Sequence, residues 1–301
     1  MTLKTRNRLI VLFILAFPFV VLIGFLVSQV VGPLLPIQPL PNPNGYDDFV
    51  KAGEMVSTNT GNYDKMNREQ LRETTTANAE ALALARTGLS NDCRVPVQFS
   101  KTYIENHLSD LADLKKLAQA FVIEGKLAEM ENRPNEDAKS YLDVIHLGNE
   151  SSRGGVLIDQ LVGTAIEAIG TSDLQKLLPQ LDANSCRETT ATLETLDSQR
   201  QTWNEVIQQE NNWSRRTFTG TRYEIARLMS HKSLEKAFQK AEQKFQEQQT
   251  KTKQLIIDLA TRAYELDKGK PPVSLADLVP DYLKAIPQDP LTGTNMVYSP
   301  R

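Results

Sequence analysis

The two cysteines of the chain, Cys93 and Cys186, are the residues whose chemistry can be stated most specifically, because they could form a disulfide. If they lie outside the cytoplasm, an even number of cysteines permits a disulfide between them. Closing so long a loop would stabilise the fold by up to about 4 kcal/mol through chain entropy. The alternative is a pair of separate buried thiols. Neither cysteine belongs to a C-x-x-C motif, so redox catalysis is not expected.

Three histidines, His107, His146 and His231, are the other obvious candidates for metal binding or proton transfer. They are far apart in the sequence, and none has a third ligand at the spacing of a known metal motif. His107 and His146 fall on neighbouring predicted helices and could meet. The pattern nevertheless favours histidines on the surface or at helix ends, and it predicts no metal site.

The segment Ser151–Gly155 places two glycines just before an apolar run. Free N–H groups at such a position can bind an anion. No Gly-Lys-Ser/Thr and no G-x-G-x-x-G accompanies the glycines, so a turn between two helices is the favoured interpretation. Asp110 and Asp113 fall on the predicted exposed side of a helix, without a partner carboxylate at glycosidase-like spacing. We therefore predict no catalytic, cofactor-binding or metal-binding residues and no enzyme activity.

The elements around these residues begin with a basic and then apolar N-terminus. Lys4, Arg6 and Arg8 precede the apolar residues 9–31, and the first nineteen of those carry no charge. At about 1.5 Å per residue, nineteen helical residues span roughly 28 Å, close to the thickness of a bilayer core. Residues 1–31 are therefore predicted to be a transmembrane signal anchor. The positive-inside rule places the N-terminus in the cytoplasm and the remainder of the chain outside it.

A cleaved signal peptide is the main alternative to this anchor. The best cleavage position has Val30 and Gly32 as its small residues, but Pro33 follows directly and should block cleavage. The apolar run is also longer than the usual 7 to 15 residues of a signal peptide. A retained anchor is therefore favoured over cleavage, and both are favoured over a buried helix of a soluble domain.

The sequence after the anchor divides into three ranges. Residues 32–50 are predicted to form a Pro-rich spacer, because five prolines within residues 32–45 exclude a regular helix. Residues 51–270 carry apolar residues at helical spacing and are predicted to form a helical domain. Residues 271–301 form a short, irregular C-terminal tail. The predicted fold is mostly α: a transmembrane helix, a spacer, a helical-hairpin or bundle domain, and the tail.

Capping motifs and periodicity predict the individual helices of the domain. Capping boxes at Asn67/Gln70 and at Ser185/Glu188 begin two of them. The predicted ranges are 67–86, 103–131, 136–147, a central core helix over 154–170, 185–213 and 221–266. A separate helix, kinked or ended by Pro179, is predicted to carry Leu174, Leu177, Leu178 and Leu181. In the last helix, Phe238, Ala241 and Phe245 could mark a coiled-coil-like arm, but the seam is short and an ordinary amphipathic helix is favoured.

Residues 114–148 resemble a single tetratricopeptide-type helix hairpin. The matching residues are Asn132-Arg133-Pro134 in the turn, then Glu136-Asp137-Ala138, Tyr141, Leu142 and Ile145. Members of that family stack three or more such units into a concave peptide-binding surface. Only one unit is evident here, so an antiparallel helix pair is the simpler interpretation.

The tail is similar to the C-terminal region of the major pseudopilins of bacterial type II secretion. The matching residues are Gly269, Pro272, Leu275, Leu278, Tyr282, Leu283, Ile286, Pro287, Asp289, Pro290, Gly293 and Tyr298. The resemblance implies a bacterial envelope protein. The apolar segment lacks the Glu that pseudopilins carry at the fifth mature position, so pilus assembly is not carried over. The family's calcium-binding loop lies beyond the D-P-x-G region, and the sequence stops at Arg301, so calcium binding is not carried over either. A local interpretation is a clasp, in which Ser274 caps one helical turn that packs onto the preceding long helix.

These features predict an interaction or structural protein of the bacterial cytoplasmic membrane, with its C-terminal domain outside the cytoplasm. The expected partners are the lipid bilayer, through the N-terminal helix, and an unidentified protein. A net charge of −3 with interspersed signs argues against nucleic acid as a partner. Two alternatives stay open: a pseudopilin-related component of a secretion or surface-filament machine, and an envelope enzyme whose active site carries no recognisable motif.

Overall fold

The computed structural model describes residues 34–56, 60, 63–218 and 221–297, with only the backbone for residues 221–234. The predicted membrane segment, residues 1–31, lies outside the described residues. Among the helices that are described, none combines the length and apolar character needed to cross a bilayer. The described chain is mostly helical, as the sequence predicts, with one isolated antiparallel bridge between Gln288 and Asn295.

Nine α-helices are described over these ranges. They are α1 Gly45–Met55, α2 Arg68–Ala77, α3 Ala79–Leu89, α4 Tyr103–Met130, α5 Pro134–Glu150, α6 Leu157–Leu177, α7 Ala183–Ser198, α8 Trp203–Thr217 and α9 Thr221–Lys268. Single 3₁₀ turns lie at Tyr63–Lys65, Leu178–Gln180 and Leu275–Leu278.

Helix α1 begins inside the range 32–50 that the sequence assigned to the spacer, so the predicted boundary at residue 51 is too late. Asn44 caps this helix, and its side-chain oxygen accepts a hydrogen bond from the Tyr46 backbone. Tyr46 and Phe49 are buried in the core. The five prolines stop before the helix, and residues 34–41 have no regular secondary structure.

Two of the predicted helices are each divided in the structure. The range 67–86 breaks at Asn78, which separates α2 from α3. The range 185–213 breaks after Ser198, and Thr202 begins α8 through a capping box with Glu205 that the sequence reading missed. The cap of α7 is Asp182, whose carboxylate accepts from the Ser185 backbone N–H, in place of the predicted Ser185/Glu188 capping box.

Helix α6 contains most of the apolar run 154–170 and continues to Leu177, so the separate helix predicted around Leu174 is wrong and its first turns are the end of α6. It packs against α4, α5, α8 and α9. Its contact with α5 is very close, because a Cβ added at Gly163 would lie 2.4 Å from the carbonyl oxygen of Gly148. The pairing of Gly148 with Gly163 and of Gly170 with Tyr141 shows that α5 and α6 run antiparallel. Small residues here let two backbones touch, which larger side chains would prevent.

A buried charged network connects α6, the end of α7 and α9. The guanidinium of Arg200 donates to both carboxylate oxygens of Glu167, with Nη1 at 2.7 Å from Oε2. Thr252 donates to the same carboxylate at 2.7 Å. Asp197 lies beside Arg200 and accepts from Lys253 at 2.5 Å. Glu167 and the Arg200 side chain are nearly inaccessible to water, so each charge depends on the other for compensation.

The long helix α9 packs into the helical domain through residues between Ala241 and Ala263. Ala241 and Phe245, two residues of the predicted seam, are buried, and the Phe245 ring lies 5.6 Å from that of Trp203 on α8. These two residues are therefore buried by contacts with the protein's own helical domain and not by a partner helix. This agrees with the amphipathic-helix interpretation over a coiled-coil arm at this part of the seam.

The tail folds back onto the helical domain in the manner of the predicted clasp. Leu278 and Leu283 are buried in the same core as the helices. The Tyr282 hydroxyl donates to Asp267 of α9 at 2.9 Å, and the Lys284 backbone donates to Glu194 of α7 at 2.9 Å. Tyr298, which the pseudopilin-like pattern includes, lies outside the described residues.

We expect Arg200→Met to lower the free energy of unfolding by about 3–5 kcal/mol, because it leaves the Glu167 carboxylate buried without its cation. Chemical denaturation monitored by circular dichroism measures this. The double variant Arg200→Met/Glu167→Leu is the matched control, and it should recover much of the loss because no unpaired charge remains. A single variant as stable as the native chain would show that this ion pair does not hold α6 to the connection between α7 and α8.

Candidate functional site

The two cysteines lie in different parts of the core, and each is a free thiol. Cys93 donates weakly to the carbonyl oxygens of Gly88 and Asn91, at 3.6 Å and 3.4 Å. Cys186 lies in α7. Burial raises the thiol pKa of Cys93 to about 12 and that of Cys186 to about 11. The structure thus has the separate thiols of the second alternative and no Cys93–Cys186 disulfide.

The loop Ser151–Gly155 is a turn, and its N–H groups already have acceptors within the chain. Gly154 donates to the Gln201 side chain at 3.2 Å, and Gly155 donates to the Ser152 carbonyl at 3.1 Å. The helix that follows receives two carboxylates of the protein itself. Val156 donates to Asp159 at 2.8 Å and Leu157 to Glu210 at 2.9 Å.

His107 bridges the carboxylates of two helices. Its Nε2 lies 2.6 Å from an Asp159 oxygen on α6, and its Nδ1 lies 3.0 Å from Asp110 on α4. His107 is 4% exposed and Asp159 is 1% exposed. Burial alone would lower the His107 pKa, but the hydrogen bonds and charges of Asp159 and Asp110 outweigh it and raise the pKa above its ordinary value. The arrangement therefore favours an imidazolium that donates to both carboxylates.

Two tyrosines enclose this histidine. The Tyr103 and Tyr46 rings stack on it at centroid distances of 5.0 Å and 6.3 Å. Both tyrosine hydroxyls are buried and have no hydrogen-bond partner among the described residues. Burial, followed by the charges of Asp159 and Asp110, raises the pKa of each hydroxyl, so both rings stay neutral.

These positions correct the interpretation of the histidines. His107 is in the core and not on the surface, and it contacts Asp159, not His146. The three-residue spacing of His107 and Asp110 was the available signal, since it places them on one helix face. His146 lies in a separate cleft, and the side chain of His231 lies outside the described residues. Among the described residues, no cluster of three or more His, Cys, Asp or Glu is arranged to hold a metal ion.

The two aspartates noted on α4, Asp110 and Asp113, have different partners. Asp110 serves His107, whereas Asp113 is partly buried and accepts from Lys116 at 2.6 Å on its own helix. The two aspartates therefore act in separate interactions, and neither forms an acid–base pair with the other.

A polar cleft of about 460 Å³ opens where α3, α5 and the connections at residues 90–94 and 199 meet. Its lining is Pro41, Leu89, Ser90, Asn91, Asp92, Cys93, Arg94, His146, Glu150, Arg153 and Gln199. Burial lowers the His146 pKa, so this imidazole is neutral at pH 7 and can both donate and accept a hydrogen bond. With the Cys93 thiol protonated, the cleft offers hydrogen bonds and charge to a ligand but no ready nucleophile.

Asp137 is an unusual carboxylate in the helix hairpin of α4 and α5. It is completely buried, and one of its oxygens has no hydrogen-bond partner among the described residues. Its other oxygen accepts from the Ala138 backbone at 2.6 Å. Burial raises its pKa to about 7, and the nearby Glu129 charge contributes in the same direction.

Comparisons with known proteins leave these sites to be interpreted from their own geometry. No family model matches the chain, and neither a curated protein nor a solved structure is similar to it. The polar cleft is the candidate functional site, because it combines volume, exposure and polar groups without internal partners.

We expect the stability of the native chain to fall as pH rises through the raised pKa of His107. The folded state binds this proton more tightly than the unfolded state, so the stabilisation is complete below the unfolded pKa of about 6.5 and is lost above the folded pKa. The slope from this group is at most about 1.4 kcal/mol per pH unit. Urea unfolding from pH 6 to pH 10 measures it. His107→Gln is the control, and equal pH profiles for the two chains would contradict the prediction.

We expect Asp137→Asn to stabilise the chain at pH 8 and to have little effect near pH 4. The raised pKa means that the native carboxyl favours its neutral form, so its contribution to stability declines from about pH 4 up to about pH 7 and is then constant. Asparagine does not titrate and removes that decline. The exposed Asp64→Asn is the matched control for melting curves across this range. A stability gap between Asp137→Asn and the native chain that does not change with pH would count against the buried-acid explanation.

Proposed function

We propose that the chain is a membrane-anchored extracytoplasmic helical protein of the bacterial cell envelope that acts by binding and not by catalysis. The observation that carries the proposal is the order of features at the N-terminus. Three basic residues precede an apolar run of bilayer length, and a Pro-rich stretch then leads to the cap of α1 at Asn44. This order is typical of a tether that presents a folded domain at a distance from a membrane.

The entry of the tether into the domain supports this proposal. The Asn44 side chain accepts from the Arg94 backbone N–H and donates to the Arg94 carbonyl oxygen, each at 2.9 Å. The Gly45 N–H donates to the Asp92 carbonyl oxygen at 3.0 Å. The chain that follows the spacer is therefore held by three hydrogen bonds at one point, as an anchored domain requires.

The side chains that could act in catalysis, the His107 imidazole and the Cys93 thiol, support binding over catalysis. Both ring nitrogens of His107 are occupied by carboxylates, and the Cys93 thiol is protonated and hydrogen-bonded. By contrast, the polar cleft includes Arg94 and Asp92, for which no ion pair is formed with any described residue. The partners of the proposal are the lipid bilayer, through residues 1–31, and a ligand or protein outside the cytoplasm.

Protease digestion of membrane vesicles of known orientation, with the mass of the intact chain, tests the anchor. We expect cleavage after residue 45 only from the outer side, and an intact mass that includes Met1 to Val31. Changing Lys4, Arg6 and Arg8 to Glu should disturb this orientation. Changing Lys51, Lys101 and Lys115 to Glu alters the charge equally but lies beyond the spacer, and it should leave the orientation intact.

A soluble chain that begins after about residue 28 would overturn the anchored proposal and indicate a freely diffusing envelope protein. Cleavage of the domain from the cytoplasmic side would overturn the proposed orientation.

A further inference from the structure

The two arginines that line the polar cleft differ in their ion pairing. Arg153 is paired, because its Nε donates to Glu150 at 2.8 Å and a second nitrogen donates to the other carboxylate oxygen. Arg94 forms no ion pair with any described residue, and its Nε is buried without a hydrogen-bond partner. A buried N–H without an acceptor is unfavourable, and a bound acceptor would remove that penalty.

The chain holds Arg94 in a fixed place. Asn44 hydrogen-bonds both its backbone N–H and its carbonyl oxygen, and the next residue, Val95, donates to the Arg153 carbonyl at 2.9 Å. The side chain lies against Gly154, where an added Cβ would be 3.0 Å from Arg94 Cγ and 3.2 Å from its Nη1. Gly154 has a positive φ of 71°, so glycine suits both this backbone and the space that the arginine occupies.

We propose that the polar cleft is a binding site for a small ligand with one anionic group, a carboxylate or a phosphate monoester, held by the Arg94 guanidinium. The planar guanidinium matches the two oxygens of such a group and donates to both. A volume of about 460 Å³ is within the range of small-molecule sites.

The other residues of the cleft define what such a ligand can be. His146 and Gln199 supply uncharged donors and acceptors beside Arg94. Asp92 is exposed at the cleft and also lacks an ion pair with any described residue. Its negative charge opposes a ligand with several anionic groups. The site therefore suits a ligand with one anionic group and several hydrogen-bonding groups.

A second cleft, of about 410 Å³, contains arginines whose ion pairing differs from that of Arg94. It is lined by Arg86 and Arg133, but Arg86 pairs with Glu124 and Asp143, and Arg133 pairs with glutamates. Both arginines there are neutralised within the chain. Arg94 differs because no described carboxylate forms an ion pair with its guanidinium. The proposal of a ligand site is based on this difference in ion pairing, and it does not depend on the membrane anchor.

The test uses the full-length chain in nonionic detergent micelles, with acetate, inorganic phosphate and glycerol 1-phosphate as probes at constant ionic strength. The chain has three histidines, so ring signals in NMR spectra can be assigned with single His→Gln variants. We expect at least one probe to shift the His146 signals saturably and to leave those of His107 unchanged. Preference for acetate would indicate a carboxylate ligand. Tighter binding of glycerol 1-phosphate than of inorganic phosphate would indicate that the ligand is a lipid headgroup. Tighter binding of inorganic phosphate would indicate that the ligand is free phosphate.

Variants connect binding to the guanidinium. Arg94→Gln should weaken the affinity about tenfold or more, since a charged hydrogen-bonding group is lost. Asp92→Asn should strengthen it, because it removes a repelling charge. Arg68→Gln, the same substitution at an exposed arginine outside the cleft, should bind as the native chain does. Circular dichroism checks the fold, and if Arg94→Gln does not fold, the effect of Asp92→Asn decides.

No saturable shift of His146 with any of the three probes would overturn the proposal. So would a folded Arg94→Gln variant that binds as tightly as the native chain, or an Asp92→Asn variant that binds no more tightly.

Discussion

The carboxylate of Asp159 joins the N-terminus of α6 to the rest of the helical domain. One of its oxygens accepts from the Val156 backbone, and the other lies 2.6 Å from His107. Through His107 it reaches α4, and through the ring stacked on that histidine, Tyr46, it reaches α1. A helix N-terminus carries partial positive charge, so a buried carboxylate between it and an imidazolium is compensated from both sides. Three elements thus depend on the position of one side chain.

The same kind of pairing recurs about two turns further along α6. Glu167 meets Arg200, which is 33 residues later in the sequence, whereas Asp159 meets His107, 52 residues earlier. Both acids are buried in a helix that is otherwise strongly apolar. A rotation of α6 about its axis would separate both acids from their partners and leave two charges unpaired in the core. The two pairs therefore specify one orientation of the central helix among orientations that bury similar apolar area.

Periodicity predicted most of the helical structure, because apolar spacing is a local property of the sequence. The helices α4 and α5, the central α6 and the clasp at Ser274 follow directly from it. The breaks near Asn78 and Ser198 were missed, since no proline or glycine marks them and packing decides where each helix turns. Helix α1 was missed because only a short segment after the prolines is apolar.

The candidate site could not be predicted in the same way. Its cleft combines residues from four separated places in the sequence, from Pro41 to Gln199, without a motif that relates them. His107 was noted, but its burial depends on Asp159 and Tyr46, which only the tertiary structure brings to it. Ser151–Gly155 was recognised as a turn, yet the sequence did not reveal that Gln201 and Asp159 would supply acceptors around it.

The connection between Asn44 and Arg94 has a mechanical consequence. Tension along residues 34–41 enters the folded domain at Asn44, where a single amide group makes both hydrogen bonds to the Arg94 backbone. Both bonds must stretch together, because they share one rigid side chain, and helix α1 bears no load until they part. The same arginine lines the polar cleft. If residues 1–31 are the proposed anchor, a load on the tether and a ligand in the cleft would therefore act on the same residue.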